Sequence, residues 1–358
     1  MATTTPPSRP TRATINEVSL EAGVSRSTTS RVLGGYGFAS EDTRERVLEA
    51  AKKLNYRPNT LARAMITGKS FTIGVVIGDI ENSFFSRLAR GVADGARASG
   101  FEILLSNTDE NIATETRTIQ ILQERQVDGL IVAGSSMQSI DHLKAIKKDG
   151  KPLVLVDRLI PHMNVDSVAI DNRAAASEAA TRLLSAGHRR FGIVTGAQSD
   201  DIGPIQFQLN TGADRVEGFC QTLSKANLEI NPTMIRWGAI NQEAAREQTR
   251  ILLGSAKRPT AIFATDSLMA LGVLQGIQDC SLKSPDDVSV VGFDDADWSD
   301  VITPRLSVIA QPVHEIGRLA AERLLARIKG DTSKARTFLL PTTWIERDSI
   351  ASMKRRGR

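Results

Sequence analysis

Two rhythms of apolar and polar positions divide the chain. Over the first seventy residues apolar side chains recur in short blocks at helical spacing. Ile15, Val18 and Ala22 form one block, Thr29, Val32 and Leu33 an inward face of a second, and Val47, Leu48, Ala51 and Leu54 a third. Start and stop signals frame them. Thr14-Ile15-Asn16-Glu17 is a capping box, and Gly23 ends the first helix within a turn. Ser25 caps a second helix from Arg26 to about Leu33. Ser40 caps a third, with Glu41 and Asp42 in the first turn where the helix dipole favours anions. From residue 70 the rhythm changes to short apolar runs alternating with amphipathic stretches. Strands are predicted at Phe71–Ile77, Glu102–Ser106, Gly129–Val132, Leu153–Val156, Phe191–Thr195, Ala261–Ala264 and Val288–Gly292. Helices are predicted at Phe84–Ser99, Glu115–Arg125, Ile140–Lys148, Ala174–Ala186, Arg215–Ala226, Glu243–Leu253 and Leu268–Gln278. Such alternation builds doubly wound parallel sheets, and two rounds of it, restarting after residue 170, predict two similar lobes.

Two short helices about a glycine turn, braced by a third, describe a helix-turn-helix whose second helix enters the major groove of DNA. That helix offers Arg26 and Ser27 at its exposed start and Arg31 one turn on. Arginine suits bidentate contact with guanine. Charge agrees with this reading. Residues 1–70 hold 11 Lys and Arg against 6 Asp and Glu, a net of +5, while the whole chain is +4 and the remainder therefore −1. A basic head on a near-neutral body is suited to a polyanion.

In the body, ligands bind beyond the carboxyl ends of the strands, here in a cleft between lobes. Polar residues sit at those ends: Asp79 and Asn82-Ser83-Phe84-Phe85, then Asp157-Arg158, Asp266, Asp294, and Gln311 after Ser307–Ala310. Asp, Asn, Arg and Gln bind arrays of hydroxyls through paired hydrogen bonds, and aromatic faces cover the apolar side of a sugar ring. Each residue alone is equally a loop or helix-cap residue; their recurrence at successive strand ends favours a binding cleft.

The ordered run Thr14-Ile15-Asn16-Glu17-Val18, Ala22-Gly23-Val24-Ser25, Thr28-Thr29-Ser30-Arg31-Val32-Leu33, Thr43-Arg44-Glu45-Arg46-Val47-Leu48 and Leu54-Asn55-Tyr56-Arg57-Pro58-Asn59 resembles the LacI/GalR repressor family. Ile73-Gly74-Val75-Val76, Val127-Asp128-Gly129-Leu130-Ile131, Met269-Ala270-Leu271-Gly272 and Val290-Val291-Gly292-Phe293-Asp294-Asp295 extend the resemblance over nearly the whole chain. It implies a lambda repressor-like all-α helix-turn-helix followed by an α/β, periplasmic-binding-protein-like core. It implies base contacts from Arg26, Ser27 and Arg31, phosphate contacts from Thr14, Ser25, Ser40, Thr43 and Asn59, and Met65 as the apolar wedge of a hinge helix in the minor groove. For the effector it implies Asn82, Phe84, Phe85, Asp157, Arg158, Arg215, Asp266, Asp294 and Gln311, with Ile240 where an aromatic ring often stacks. Thr29 stands where the family usually has Val, so a hydroxyl faces the small core, where it can bond back to a carbonyl one turn earlier. Gly34 stands where the family usually has Asn. The stretch Asp200–Leu209 looks longer than usual.

The expected organisation is a tail at 1–12, the helix-turn-helix at 13–58, a hinge at 59–69, an effector core at 70–350 and a basic tail at 351–358. Within the core, lobe 1 is expected at about 70–170 and 298–327, and lobe 2 at about 171–297 and 328–350. The expected partners are double-stranded operator DNA, a monosaccharide or polyol effector and a second copy of the chain in a homodimer.

Other classes fit less well. Neither a P-loop, nor GxGxxG opening a helix, nor GxSxG appears, so no catalytic residues or cofactors are expected. The four scattered histidines and the distant Cys220 and Cys280 show no metal spacing; the cysteines read as buried fillers in a reducing compartment. No secretory leader and no long apolar run is present, so the expected setting is cytoplasmic with no membrane span. A transport-type sugar-binding protein would share the body but not the head. A corepressor-activated relative with a non-sugar ligand remains the alternative.

Overall fold

We describe residues 13–34, 37–56, 69–196 and 210–353 of a computed structural model of the chain. They form two compact units, one ending at Phe71 and one beginning at Thr72. The first holds three helices, α1 (Ile15–Ala22), α2 (Arg26–Gly34) and α3 (Glu41–Lys53). The capping box closes as the sequence predicts. The Thr14 N–H donates to the Glu17 carboxylate at 2.6 Å, and the Glu17 N–H donates to Thr14 Oγ1 at 3.4 Å. Gly23 takes the left-handed conformation, φ 64°, that ends α1. Val18, Ala22, Val32, Val47, Ala50 and Ala51 form the small core. Leu48 does not join it. It is 51% exposed, and Ala50 takes the inward position instead. On a helix running through Val47, Ala51 and Leu54, residue 50 shares their face and residue 48 lies about 100° off it.

The second unit holds two parallel-sheet lobes. The first lobe contains β1 (Thr72–Ile77), α4 (Ser83–Arg97), β2 (Glu102–Asn107), α5 (Ile112–Glu124), β3 (Gly129–Val132), α6 (Asp141–Lys148), β4 (Leu153–Val156) and β5 (Asp166–Ile170). The second contains α7 (Asn172–Ser185), β6 (Phe191–Gly196), α8 (Asn210–Lys225), β7 (Ile235–Gly238), α9 (Gln242–Leu253), β8 (Ala261–Ala264), α10 (Ser267–Asp279), β9 (Ser289–Phe293) and β10 (Ser307–Ala310). The chain then returns through α11 (Val313–Ile328) and β11 (Thr337–Leu340) to the first lobe and ends on β12 (Thr343–Ile345) in the second. The sheet orders are β11-β5-β4-β3-β1-β2 and β12-β10-β9-β8-β6-β7. Both sheets are parallel except for β12, which runs antiparallel to β10. Each order reverses once, between β1 and β3 and between β6 and β8, the switch point where open sheets bind ligands.

This exchange corrects the lobe boundaries expected from sequence. β10 belongs to lobe 2, although residues 298–327 were expected in lobe 1. β11 belongs to lobe 1, although residues 328–350 were expected in lobe 2. Of those two spans, α11 lies in lobe 1 and β12 in lobe 2 as expected. β5, β7, β11 and β12 escape the sequence reading because each carries polar residues, such as Asp166, Ser167, Arg236, Thr337 and Thr343, instead of a continuous apolar run.

The returning helix α11 is bound to lobe 1 by close backbone approach and by charge. A β-carbon on Gly91 of α4 would lie 2.0 Å from the His314 carbonyl oxygen, so only glycine permits this crossing. Asp166 on β5 is fully buried. It accepts hydrogen bonds from Arg327 at 2.9 and 3.0 Å and from Arg323 at 3.1 Å, both on α11. Burial opposes its charge, but these bonds and the Arg336 amide hold the carboxyl below its ordinary value.

Cys220 and Cys280 are free and only half-buried, rather than the buried fillers expected. Among the described residues no helix is long and apolar enough to cross a membrane.

Candidate functional site

The three helix starts of the first unit carry the residues expected at phosphates. Thr14 caps α1. Ser25 Oγ accepts the Thr28 N–H at 3.1 Å at the start of α2. Ser40 Oγ accepts the Thr43 N–H at 3.3 Å and donates to Thr43 Oγ1 at 2.8 Å at the start of α3. Helix starts present free N–H groups and a positive dipole end, which suits them to phosphate. Arg26 and Ser27 are exposed at the start of α2. Arg31 is half-buried because its stem lies over Gly37; a β-carbon there would sit 2.6 Å from Arg31 Cδ. Thr29 is fully buried and donates to the Ser25 carbonyl at 3.1 Å, the bond its hydroxyl requires. Asn59 and Met65, the rest of the hinge but Lys69, the tail at 1–12 and the stretch Asp200–Leu209 lie outside the described residues.

In the second unit, ten of the eleven expected effector residues converge. Asn82, Phe84, Phe85, Asp157, Arg158, Arg215, Ile240, Asp266, Asp294 and Gln311 line one cavity of about 80 Å³ between the lobes. Asp157 follows β4 and Asp294 follows β9, the equivalent strand of the other lobe. Both take left-handed backbone, φ 65° and 69°, and each donates its N–H to the neighbouring strand, at Val168 and Ile309. The two carboxylates thus enter from matching positions of the two lobes. Asn82 and Asp266 are also the N-caps of α4 and α10, accepting from Phe84 and Met269. The helix-cap and cleft readings of these two residues therefore hold together. Phe84 and Phe85 meet edge to face at 5.1 Å.

Asp79 is the exception. It lies outside the cavity, where its carboxylate accepts the Glu81 N–H at 2.9 Å and shapes the loop before Asn82.

The sequence reading missed Glu110. It grips the Arg158 guanidinium with two bonds, of 2.6 and 2.5 Å, and lines the cavity. It follows the end of β2, so the strand-end rule applied to that strand would have found it. Arg158 also donates to the Gly134 carbonyl at 2.8 Å, while its buried Nε makes no hydrogen bond but lies 3.3 Å from an Asp157 carboxylate oxygen. Burial works against the Arg158 charge; Glu110, with Asp157 and Glu115, more than restores it. Asn172 was missed as well. It accepts from Arg215 Nε at 2.8 Å, while Arg215 Nη1 donates to the Thr265 carbonyl at 2.6 Å and the guanidinium covers the Phe293 ring at 3.6 Å.

Burial raises all three aspartates. Asp157 and Asp266 lie above the ordinary carboxylate value despite nearby Arg158 or Arg215. Asp294 is pushed up to about 6, with Arg215 and the Gln311 amide (2.7 Å) offsetting part of the effect.

Residues 14–59 match the model of bacterial regulatory proteins of the lacI family, and residues 180–350 match a periplasmic binding protein-like domain. Catabolite control protein A of Priestia megaterium is 34% identical over 92% of this chain and 96% of its own length. The ribose operon repressor of Haemophilus influenzae is 33% identical over 96% of this chain and its whole length. The chain belongs to the lacI family. A lacI-family transcriptional regulator from Enterococcus faecium, solved with bound ribose, superposes with a TM-score of 0.68 at 30% identity, covering 79% of this chain and 99% of that one. This lacI-family chain is therefore a transcriptional regulator, with a DNA-binding helix-turn-helix and a ligand-binding core. Outside the cavity its two lobes also touch. Arg87 on α4 donates to the Asp295 carbonyl at 2.6 Å and pairs with Asp297.

Proposed function

We propose that the chain is a repressor that a monosaccharide-type effector releases from a pseudo-palindromic operator. One observation carries this reading: residues from both lobes, spread over 230 positions from Asn82 to Gln311, meet on one small cavity rich in hydrogen-bond acceptors. Carboxylates and amide oxygens accept from hydroxyls, and Phe84 and Phe85 supply an apolar wall. A cavity of about 80 Å³ is smaller than the roughly 150 Å³ site that holds benzene in an engineered protein. It favours a single ring over a disaccharide, with modest opening of the lobes on entry. The ribose operon repressor and the ribose-bound structure among the relatives support the sugar class.

The mechanism is a population shift. The ligand bridges Asp157 and Asp294 and so favours one arrangement of the lobes, and differential affinity for that arrangement is the only route by which it can alter DNA binding. As a homodimer, each chain places Arg26, Ser27 and Arg31 over one half-site while Thr14, Ser25, Ser40, Thr43 and Asn59 hold phosphates, and Met65 is the wedge. A thermal-shift screen of monosaccharides, polyols and nucleobases tests the effector class. A native-state ligand at 100 times its Kd contributes about 2.7 kcal/mol. A stabilising monosaccharide supports the reading, and a nucleobase as the sole hit overturns it.

A further inference from the structure

The cavity carries more negative charge than its folding requires. Four carboxylates (Glu110, Asp157, Asp266 and Asp294) line it against two guanidiniums, Arg158 and Arg215. The two arginines offset only part of this charge. Arg158 is held by both oxygens of Glu110, and its Nε lies 3.3 Å from an Asp157 carboxylate oxygen. Arg215 is committed to Asn172, the Thr265 carbonyl and the Phe293 ring, and it is the cation shared by Asp157, Asp266 and Asp294. Asp266 is the telling member. Its Oδ1 caps α10 by accepting the Met269 N–H at 2.9 Å. Asparagine caps a helix as well as aspartate does, so the fold needs the oxygen and not the charge. A charge kept in a water-poor cleft raises its own cost and that of its neighbours, and it is relieved by uptake of a proton or by a ligand that supplies the missing cation.

We propose that the cleft selects its ligand by charge, taking an amine-bearing monosaccharide over the neutral parent and rejecting phosphorylated sugars, with Asp266 setting the preference. The proposal rests on the monosaccharide reading above. A neutral ring offers hydroxyl donors to the carboxylates but leaves the excess charge buried beneath it. An ammonium group donates three hydrogen bonds and removes one unit of the excess, and charge-assisted bonds of this kind are about twice as strong as neutral ones. A phosphate group adds charge of the same sign, and the two arginines that would receive it are already held. Gln311 Oε1, which makes no hydrogen bond within the protein, leaves one acceptor at the cleft for a ring hydroxyl.

The test is calorimetric titration of the full chain with D-glucosamine, D-galactosamine and D-mannosamine, their neutral parents and the parent 6-phosphates. At least one amine is expected to bind about tenfold more tightly than its neutral parent, with no binding of the phosphates. In Asp266→Asn, which keeps the cap and removes one of the two excess charges, the amine-to-neutral ratio should fall severalfold; Asp266→Ser, also a capping residue, serves if the first variant melts early. A neutral parent that equals or exceeds its amine in every pair overturns the proposal while leaving the sugar reading intact. Binding of a phosphate ester does the same. An unchanged ratio in the Asp266 variants removes that residue's role. If no probe binds, the charge proposal falls, while the sugar reading stands or falls separately with the wider monosaccharide screen.

Discussion

Asp294 gives the sharpest energetic prediction. Its ordinary pKa is 3.8, and burial lifts it to about 6 in the empty cleft. A displacement of about two units corresponds to roughly 3 kcal/mol. The folded state holds this proton more tightly than the unfolded chain does. Stability of the unliganded protein should therefore fall as pH rises from about 4 to about 6, and the full cost is carried above that window. Asp157 and Asp266 share the field, so the measured titration belongs to the cluster rather than to one residue. Asp294→Asn removes the charge, keeps the size and tolerates the left-handed backbone at φ 69°. At neutral pH the unliganded variant is expected to be more stable than the natural protein by up to about 3 kcal/mol, with the gap narrowing by about pH 5. The same variant should lose the ligand response, because the charge costs stability in the empty cleft and is offset by bound donors. Urea unfolding at the two pH values measures both gaps. A variant no more stable than the natural protein at neutral pH, or a gap that ignores pH, refutes the reasoning.

Three further outcomes follow from other parts of the molecule. Arg31→Ala should abolish discrimination between operator and random DNA while leaving weak, salt-sensitive binding; equal losses on both in fluorescence anisotropy would remove the base-reading role. Asp166→Asn should cost about 3 kcal/mol of core stability, since it strands Arg323 and Arg327 in a mostly buried site, and calorimetric melting checks this. The natural protein should lose that contribution only as pH falls below the ordinary carboxylate range, because the folded Asp166 carboxyl lies lower still. Arg87→Ala should weaken effector binding by about two- to fivefold, the scale of an exposed ion pair, if its contact with Asp295 and Asp297 steadies the closed lobes; unchanged titration isotherms would exclude that role.

What the sequence revealed follows the range of the interactions involved. The Thr14–Glu17 capping box, the Gly23 stop and the Thr29 back-bond are all local, joining residues no more than four positions apart, and each was legible. Leu48 was misplaced because adjacent positions on a helix differ by 100°, and its size drew it inward where Ala50 belongs. The exchange of β10 and β11 between lobes was not legible. Parallel pairing joins strands through crossovers that local pattern does not mark, β11 with β5 across about 170 residues and β10 with β9 after a shorter one. In the cleft, strand-end position found Asp157, Asp266, Asp294 and Gln311, while the resemblance supplied Arg215 and Ile240. Position alone also admitted Asp79, whose carboxylate serves its own turn. Glu110 sits just after β2, where the strand-end rule was not applied, while Asn172 stayed hidden because its role is defined by Arg215, more than forty residues away.

The central claim is that occupancy of the cleft governs the grip of the helix-turn-helix. The most direct test is the anisotropy of a labelled pseudo-palindromic site, selected from random DNA by the protein itself, titrated with a monosaccharide that stabilises the core. The account predicts that saturating ligand weakens DNA binding of the natural protein at least about tenfold, the scale of a typical allosteric coupling, and leaves Asp294→Asn unaffected. DNA affinity that is indifferent to a ligand bound in the cleft would contradict it.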